Sequence, residues 1–115
     1  MRLLLIGDIV GKAGRQIVVR TLPALKAQEQ IDFVAANAEN AAGGSGITPD
    51  IYHDLIRAGV DCVTLGDHIY RRSEVDAILD GPHAIVKPAN FPRSAPGRDW
   101  VVVRAANGVE VAVFS

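Results

Sequence analysis

The sequence has little cysteine, little excess charge and no long apolar run. Its 115 residues include a single cysteine, Cys62, which excludes an internal disulfide framework and a zinc site built from four cysteines. Twelve Lys and Arg against 13 Asp and Glu give a formal net charge of −1, which argues against binding double-stranded nucleic acid through bulk positive charge. No apolar run approaches the roughly 20 residues that span a bilayer, and Gly7 ends the first run too early for a signal peptide. These absences predict a cytoplasmic protein with no membrane partner.

The composition is that of a folded chain. Hydrophobic residues make up 49% of the sequence, charged residues 22%, and the mean hydropathy is +0.18, which excludes a disordered protein. A chain of this length holds one domain or part of one.

Short apolar runs alternate with amphipathic segments along most of the chain. Four runs have the character of strands buried on both faces: residues 3–6, 33–36, 62–65 and 84–86. Two helices are predicted between the first three runs. The first runs from about Arg15 to Gln28, and Pro23 should kink or interrupt it. The second has Thr48 as its N-cap and ends at Gly59.

The remaining elements set the fold class. A third helix is predicted from Ser73, with Asp76 completing a variant of the capping box. Residues 100–105 and 109–114 then predict two strands joined by a tight turn at Asn107-Gly108. We therefore expect an α/β layered fold with a mostly parallel sheet followed by a β-hairpin. Because the sequence stops within a predicted core strand at Ser115, we expect residues 1–115 to be the N-terminal part of a single domain.

Polar side chains follow three of the predicted strands. Asp8 follows the first, Glu39 and Asn40 follow the second, and Asp67 and His68 follow the third. Ligands of parallel α/β sheets bind beyond the carboxyl ends of the strands, so these side chains should converge on one edge. Crowded carboxylates repel one another unless protons or cations neutralise them. The oxygen-rich set of residues predicts a metal site suited to Mg²⁺, Mn²⁺ or Fe, with Zn²⁺ possible.

Glycines surround the same groups. Gly11 and Gly14 flank the first strand-to-helix turn, and a glycine-rich stretch at 43–46 follows Asn40. Exposed amides in these turns could contact a phosphate. This gives an alternative reading, a non-catalytic α/β module that binds phosphate or a nucleotide at a helix N-terminus. The glycine spacing differs from the dinucleotide fingerprint, which weakens that alternative.

Other polar residues have simpler interpretations. Cys62 alternates with apolar neighbours and is predicted to lie in the core. His53 is predicted to be solvated and His83 to lie in a loop. Arg71 and Arg72 are predicted to form a solvated face, with phosphate contact as the alternative.

Three segments resemble the YmdB-like metallophosphoesterases, a branch of the calcineurin-like phosphoesterase superfamily. They are Gly7-Asp8-Ile9-Val10-Gly11, Asn37-Ala38-Glu39-Asn40-Ala41-Ala42-Gly43-Gly44 and Thr64-Leu65-Gly66-Asp67-His68. The middle segment is the most specific, because general phosphoesterases have a second Gly-Asp motif there. The resemblance implies a four-layer αββα sandwich, of which this chain would form half, with two divalent metal ions. It also implies phosphodiesterase activity, including activity on 2′,3′-cyclic nucleotides.

The resemblance also implies roles for single residues. Asp8, Glu39, Asn40 and Asp67 would be metal ligands, with Glu39 bridging the two ions, and His68 would be the catalytic imidazole. The family usually has Asn at position 67, so Asp67 adds a negative charge.

The expected function is metal-dependent hydrolysis of a small phosphodiester or cyclic nucleotide. A hydroxide bridging the two ions would attack phosphorus, and His68 would act on the leaving oxygen. The family's later histidine ligands have no counterpart here, since neither His53 nor His83 matches their motifs. A third reading is therefore a catalytically dead fragment. Because half a sandwich would leave apolar sheet surface exposed, copies of the chain could associate into a homo-oligomer.

Overall fold

A four-stranded parallel sheet forms the centre of the computed structural model, which describes residues 1–115. Its strands lie in chain order: β1 (Leu3–Ile6), β2 (Phe33–Asn37), β3 (Cys62–Thr64) and β4 (Ile85–Val86). Leu3 pairs with Phe33, Ala35 with Cys62, and Val63 with Ile85. Because all four strands are parallel, their carboxyl ends share one edge, which we call the carboxyl edge.

Helices cover one face of this sheet and a hairpin covers the other. The helical layer consists of α1 (Gly11–Gln28), α2 (Pro49–Ala58), a 3₁₀ turn (Ser73–Val75) and α3 (Asp76–Leu79). The hairpin consists of β5 (Trp100–Arg104) and β6 (Glu110–Phe114), which pair antiparallel. The predicted fold class, a mostly parallel sheet followed by a β-hairpin, is confirmed.

Alternation along the strands divides the buried residues into two clusters. Val34, Ala36 and Val63 belong to a cluster of 20 buried residues that includes the helices. Phe33 and Cys62 belong to a cluster of 7 that includes β5 and β6. Successive residues of a strand point to opposite faces, so β2, β3 and β4 contribute to both cores, while β1 packs only on the helical side. The three layers are therefore helices, parallel sheet and hairpin.

Local sequence signals place α2 and the hairpin turn as predicted. The Thr48 hydroxyl accepts a hydrogen bond from the Ile51 N–H at 3.5 Å, and Gly59 ends α2 in the left-handed region with φ of 110°. In the hairpin turn the Val109 N–H donates to the Asn107 side chain at 3.1 Å, and Gly108 has φ of 86°.

Two helix predictions were wrong in detail. α1 begins at Gly11 rather than near Arg15, and it continues through Pro23 without interruption. The predicted capping box at Ser73 is absent, because the Ser73 hydroxyl contacts the neighbouring Glu74 carboxylate and caps no helix. The segment forms only a 3₁₀ turn and one short α-helix.

None of the helices combines the length and the apolar character needed to cross a membrane.

Candidate active site

Hydrogen bonds extend the parallel sheet past the ends of its strands. The Ile9 N–H donates to the Asn37 carbonyl at 3.0 Å, and the Ala38 N–H donates to the Thr64 carbonyl at 3.1 Å. These bonds fix the residues on either side, including Asp8 and Glu39, along the carboxyl edge.

Asn40 connects Asp8 to His68. Its Nδ2 group donates to both carboxylate oxygens of Asp8, at 2.9 and 3.0 Å. Its Oδ1 atom lies 2.5 Å from His68 Nδ1. When the imidazole carries its proton on Nδ1, Asn40 accepts it, and Nε2 is the ring nitrogen left for other partners. Residues from the ends of three strands thus meet as the sequence predicts.

Glu39 joins the same cluster through the backbone that follows β3. Its Oε2 atom accepts the His68 N–H at 3.1 Å. Its carboxylate lies against the Cα of Gly66, in the space that a Cβ atom would occupy. We call Asp8, Glu39, Asn40 and His68 the edge cluster.

The glycine-rich loop at residues 42–46 holds the backbone of Glu39 and Asn40 in place. The Gly46 N–H donates to the Glu39 carbonyl at 2.5 Å, and the Gly44 N–H donates to the Asn40 carbonyl at 3.0 Å. Gly44 and Gly46 have φ of 94° and 81°, a backbone region that residues with side chains rarely adopt.

The amides of these glycine turns are not free to bind a phosphate. The Gly11 N–H also donates to the Asn40 carbonyl, at 2.9 Å. These amides are bonded within the protein, so the prediction that they are exposed to a phosphate was wrong.

The Arg72 side chain makes two hydrogen bonds to the glycine-rich loop. Its Nη2 donates to the Ala42 carbonyl at 3.0 Å, and its Nε donates to the Ser45 carbonyl at 3.2 Å. The sequence predicted a solvated face here and missed this role. No local motif signals it, because the partners are 27 and 30 residues apart along the chain.

Asp67 and the two other histidines lie outside the edge cluster. The Asp67 side chain is 82% exposed, and its Oδ2 lies 3.6 Å from His68 Nε2. His53 and His83 stack edge-on with Tyr52, with ring centroids 5.3 to 5.6 Å apart. The Tyr52 hydroxyl accepts the Ala84 N–H at 2.9 Å, which places this group at the amino end of β4, opposite the carboxyl edge.

Tyr70 ties the segment after His68 to the loop after β4. Its hydroxyl donates to the Pro96 carbonyl at 2.7 Å. Burial, with smaller contributions from Asp76 and Asp80, raises the pKa of Tyr70. The phenol therefore stays protonated and serves as a fixed hydrogen-bond donor.

The edge cluster fits a divalent cation in the type of its donor atoms. Carboxylate and amide oxygens are ligands that Mg²⁺, Mn²⁺ and Fe accept, and an imidazole suits Fe or Zn²⁺. Rotating the Asn40 amide would turn its oxygen toward Asp8 and make a pair of oxygen donors. No three His, Cys, Asp or Glu side chains lie close enough together to hold a metal ion. The assignment of Asp8, Glu39, Asn40 and Asp67 as ligands stays a prediction.

The layered α/β fold is shared with a solved structure titled as a phosphatase. The structure matches a novel phosphatase from Mycoplasma pneumoniae with a TM-score of 0.78 and 32% identity, over 87% of this chain and 37% of that one. A crystal structure of a hypothetical protein from Thermus thermophilus matches with a TM-score of 0.90 and 36% identity, over 99% of this chain and 44% of that one.

The YmdB-like protein family model matches residues 4–115, and the chain belongs to this family. It is 44% identical over 115 residues to a Bacillus subtilis (strain 168) protein named 2′,3′-cyclic-nucleotide 2′-phosphodiesterase. The match covers 100% of this chain and 43% of that protein. The chain thus spans less than half the length of these relatives.

Proposed function

We propose that the chain contributes the N-terminal part of a metal-dependent phosphoesterase domain that hydrolyses small phosphodiesters, with cyclic nucleotides as the substrate class. The observation that carries the proposal is the edge cluster, in which Asn40 contacts both Asp8 and His68. The name of the Bacillus relative and the phosphatase title of the Mycoplasma structure support the reaction class.

The proposed ligands are Asp8, Glu39, Asn40 and Asp67, for two divalent ions (Fe, Mn²⁺ or Mg²⁺, with Zn²⁺ as the alternative). When bound, these ions would supply Lewis-acid stabilisation of the charge that develops on the phosphoryl oxygens. Asp8 and Glu39 contribute the negative charge that attracts the ions, and the Asn40 amide separates Asp8 from His68.

His68 is the proposed catalytic acid. Asn40 holds its Nδ1, and the backbone N–H of His68 is held by Glu39, so the ring has a defined direction. Its Nε2 lies on the side of the exposed Asp67 carboxylate, where a substrate can reach it. A protonated Nε2 there can give its proton to the leaving oxygen of a phosphodiester.

Substitutions can distinguish the proposed catalytic role of His68 from the proposed metal-binding roles of Asp8 and Glu39. They are made in a chain of the relatives' full length. His68→Ala should lower turnover of a chromogenic phosphodiester by about 10²-fold or more while metal content is retained. Asp8→Ala and Glu39→Ala should lose both metal and activity. His53→Ala is the matched control, because His53 lies at the opposite end of the sheet, and its activity should be unchanged. Full turnover by a metal-free Glu39→Ala protein would refute the mechanism.

We further propose that residues 1–115 alone bind metal weakly and turn over slowly. The support is that no three acidic or histidine side chains group around one ion, and that the chain spans 43% of its Bacillus relative. Metal titration of this chain beside a chain of the relatives' length tests the point. Equal metal affinity in the two would contradict it.

The structure offers little support for the alternative of a phosphate-binding module built on the backbone amides of the Gly11 to Gly14 turn. The Gly11 N–H already donates to the Asn40 carbonyl, and the Gly14 N–H donates to the Val10 carbonyl.

A further inference from the structure

A groove between α1 and α2 lies on the outer side of the helical layer. Its volume is about 390 Å³, within the range of small-molecule sites. Its lining includes three cationic and three apolar side chains: Lys12, Arg15, Arg20, Val19, Ile51 and Leu55. None of the edge cluster residues lines it.

The cations of the groove have no acidic partners. Lys12, Arg15 and Arg20 lie on one face of α1, and none of them forms an ion pair within the protein. The one acid that lines the groove, Asp54, pairs with Arg57. Since the whole chain carries a net charge of −1, this concentration of unpaired positive charge is a local feature.

Arg15 and the start of α1 both favour an anion in the groove. The Arg15 Nε atom is buried and has no hydrogen-bond partner, which costs free energy unless a ligand or water supplies an acceptor. The first turn of α1 contains Lys12 and no acidic residue, so its positive charge opposes the helix dipole. A bound anion would give the Arg15 side chain an acceptor and would offset the positive charge in the first turn of α1.

Val19 favours a ligand with an apolar part as well as a charge. Ile51 and Leu55 line the groove but are already buried, while Val19 is 40% exposed beside the cations. A free inorganic anion would leave Val19 in water, whereas a purine ring placed over it would remove its apolar surface from water.

We propose that this groove binds a nucleoside monophosphate, with the phosphate near Arg15 and Lys12 and the base over Val19. The site is separate from the edge cluster and does not depend on the proposed phosphodiesterase function. Two phosphate charges next to two or three unpaired cations match in sign and in number.

The test is a titration of AMP and of inorganic phosphate into the His68→Ala chain, followed by amide chemical shifts and calorimetry. Saturable shifts should cluster at residues 12–20 and 51–55, and AMP should bind at least tenfold more tightly than inorganic phosphate. Arg15→Gln should lower the AMP affinity at least tenfold. Arg104→Gln is the control, since Arg104 is exposed on the hairpin and pairs with Glu110, and its affinity should be unchanged.

Four results would overturn the proposal. They are the absence of saturable AMP binding in the millimolar range, shifts centred on residues 8 and 37–40 instead, an Arg15→Gln affinity equal to wild type, and equal affinities for AMP and inorganic phosphate. If Arg15→Gln does not fold, Lys12→Gln replaces it, because Lys12 is exposed and its side chain makes no hydrogen bond or ion pair within the protein. Unchanged AMP affinity in Lys12→Gln would then count against the groove.

Discussion

Glu39 packs its carboxylate against the backbone of Gly66, in the space that a Cβ atom would fill. The same carboxylate accepts the His68 N–H. The absence of a side chain at Gly66 therefore sets the position of Glu39, a proposed metal ligand, relative to His68, the proposed catalytic residue.

Gly66→Ala should therefore impair function without unfolding the protein. The added methyl group would displace the end of a flexible side chain and no backbone atom, so the cost to stability should stay within about 1 kcal/mol. Metal affinity, measured by titration calorimetry, should fall at least tenfold. Gly7→Ala is the matched control, because a Cβ at Gly7 meets nothing within 4 Å. Equal metal affinity in both variants would contradict this account of Gly66.

Arg72→Ala should loosen the loop at residues 42–46. The substitution removes two hydrogen bonds to loop carbonyls, each worth about 1 kcal/mol. Amide hydrogen exchange at Gly44 and Gly46 should become faster, with exchange in β2 unchanged. Arg71→Ala controls for loss of charge, since Arg71 makes no hydrogen bond with its side chain to this loop. Unchanged exchange in Arg72→Ala would show that the loop holds its shape by itself.

The edge cluster was predictable in part. Asp8, Asn40 and His68 could be placed together because parallel strands end at one edge. The contact of Glu39 with Gly66 and the bonds of Arg72 could not, because they depend on close approaches between distant segments. Strand ends fix where a residue lies along the edge, but they do not fix the direction of its side chain.

At the scale of whole elements, α1 shows that tertiary contacts can keep a helix continuous through a proline. Leu22 is only 2% exposed, and Lys26 donates to the Gly59 carbonyl at 3.0 Å and to Asp61 at 2.8 Å. These contacts hold α1 on both sides of the exposed Pro23, so the helix continues through it. The sequence predicted a kink or an interruption at Pro23, because the residues around a proline in the sequence do not show which distant segments pack against the helix.

Pro23→Ala should stabilise the protein. Proline inside a helix is about 3 kcal/mol less favourable than alanine, and the greater freedom of the unfolded variant offsets up to about 1 kcal/mol of the gain. Urea unfolding should show a rise of about 2 kcal/mol. Pro92→Ala is the control, because Pro92 lies in a loop, where the same change should give no rise. A stability equal to wild type in Pro23→Ala would mean that α1 already accommodates the ring at no cost.

Cys62 should make stability fall at high pH. Burial between the sheet and the hairpin raises the pKa of this thiol from its ordinary value of 9.0 to about 12. Between these values the unfolded chain loses the proton that the folded chain keeps. The thiol's contribution is thus fully present below pH 9 and is lost as pH rises toward 12. Unfolding free energies of wild type and Cys62→Ala should therefore converge over this range, and parallel pH curves would contradict the assignment.

The arrangement of layers was the most predictable feature of the whole molecule. Apolar runs for β1 to β4 and the Asn107-Gly108 turn were enough to indicate a parallel sheet and a hairpin. Which face the hairpin covers was not predictable, because β2 is apolar on both sides. Only the packing of Val101 and Val113 on Phe33 and Cys62 settles it.

The outer face of the hairpin leaves large apolar side chains in water. Trp100 and Phe114 pair directly across the strands and are 61% and 73% exposed, and Val102 on the same face is 49% exposed. Patches of this kind drive association, so this chain should form dimers or larger species as its concentration rises. Light scattering after size-exclusion chromatography should show the mass of wild type rising with concentration, while Trp100→Lys stays at 12.2 kDa because a charge in the patch must be desolvated on contact. Ala24→Lys, on the exposed side of α1, should associate like wild type. A wild-type mass that stays at the monomer value, or Trp100→Lys associating as wild type does, would show that this face is not where copies meet.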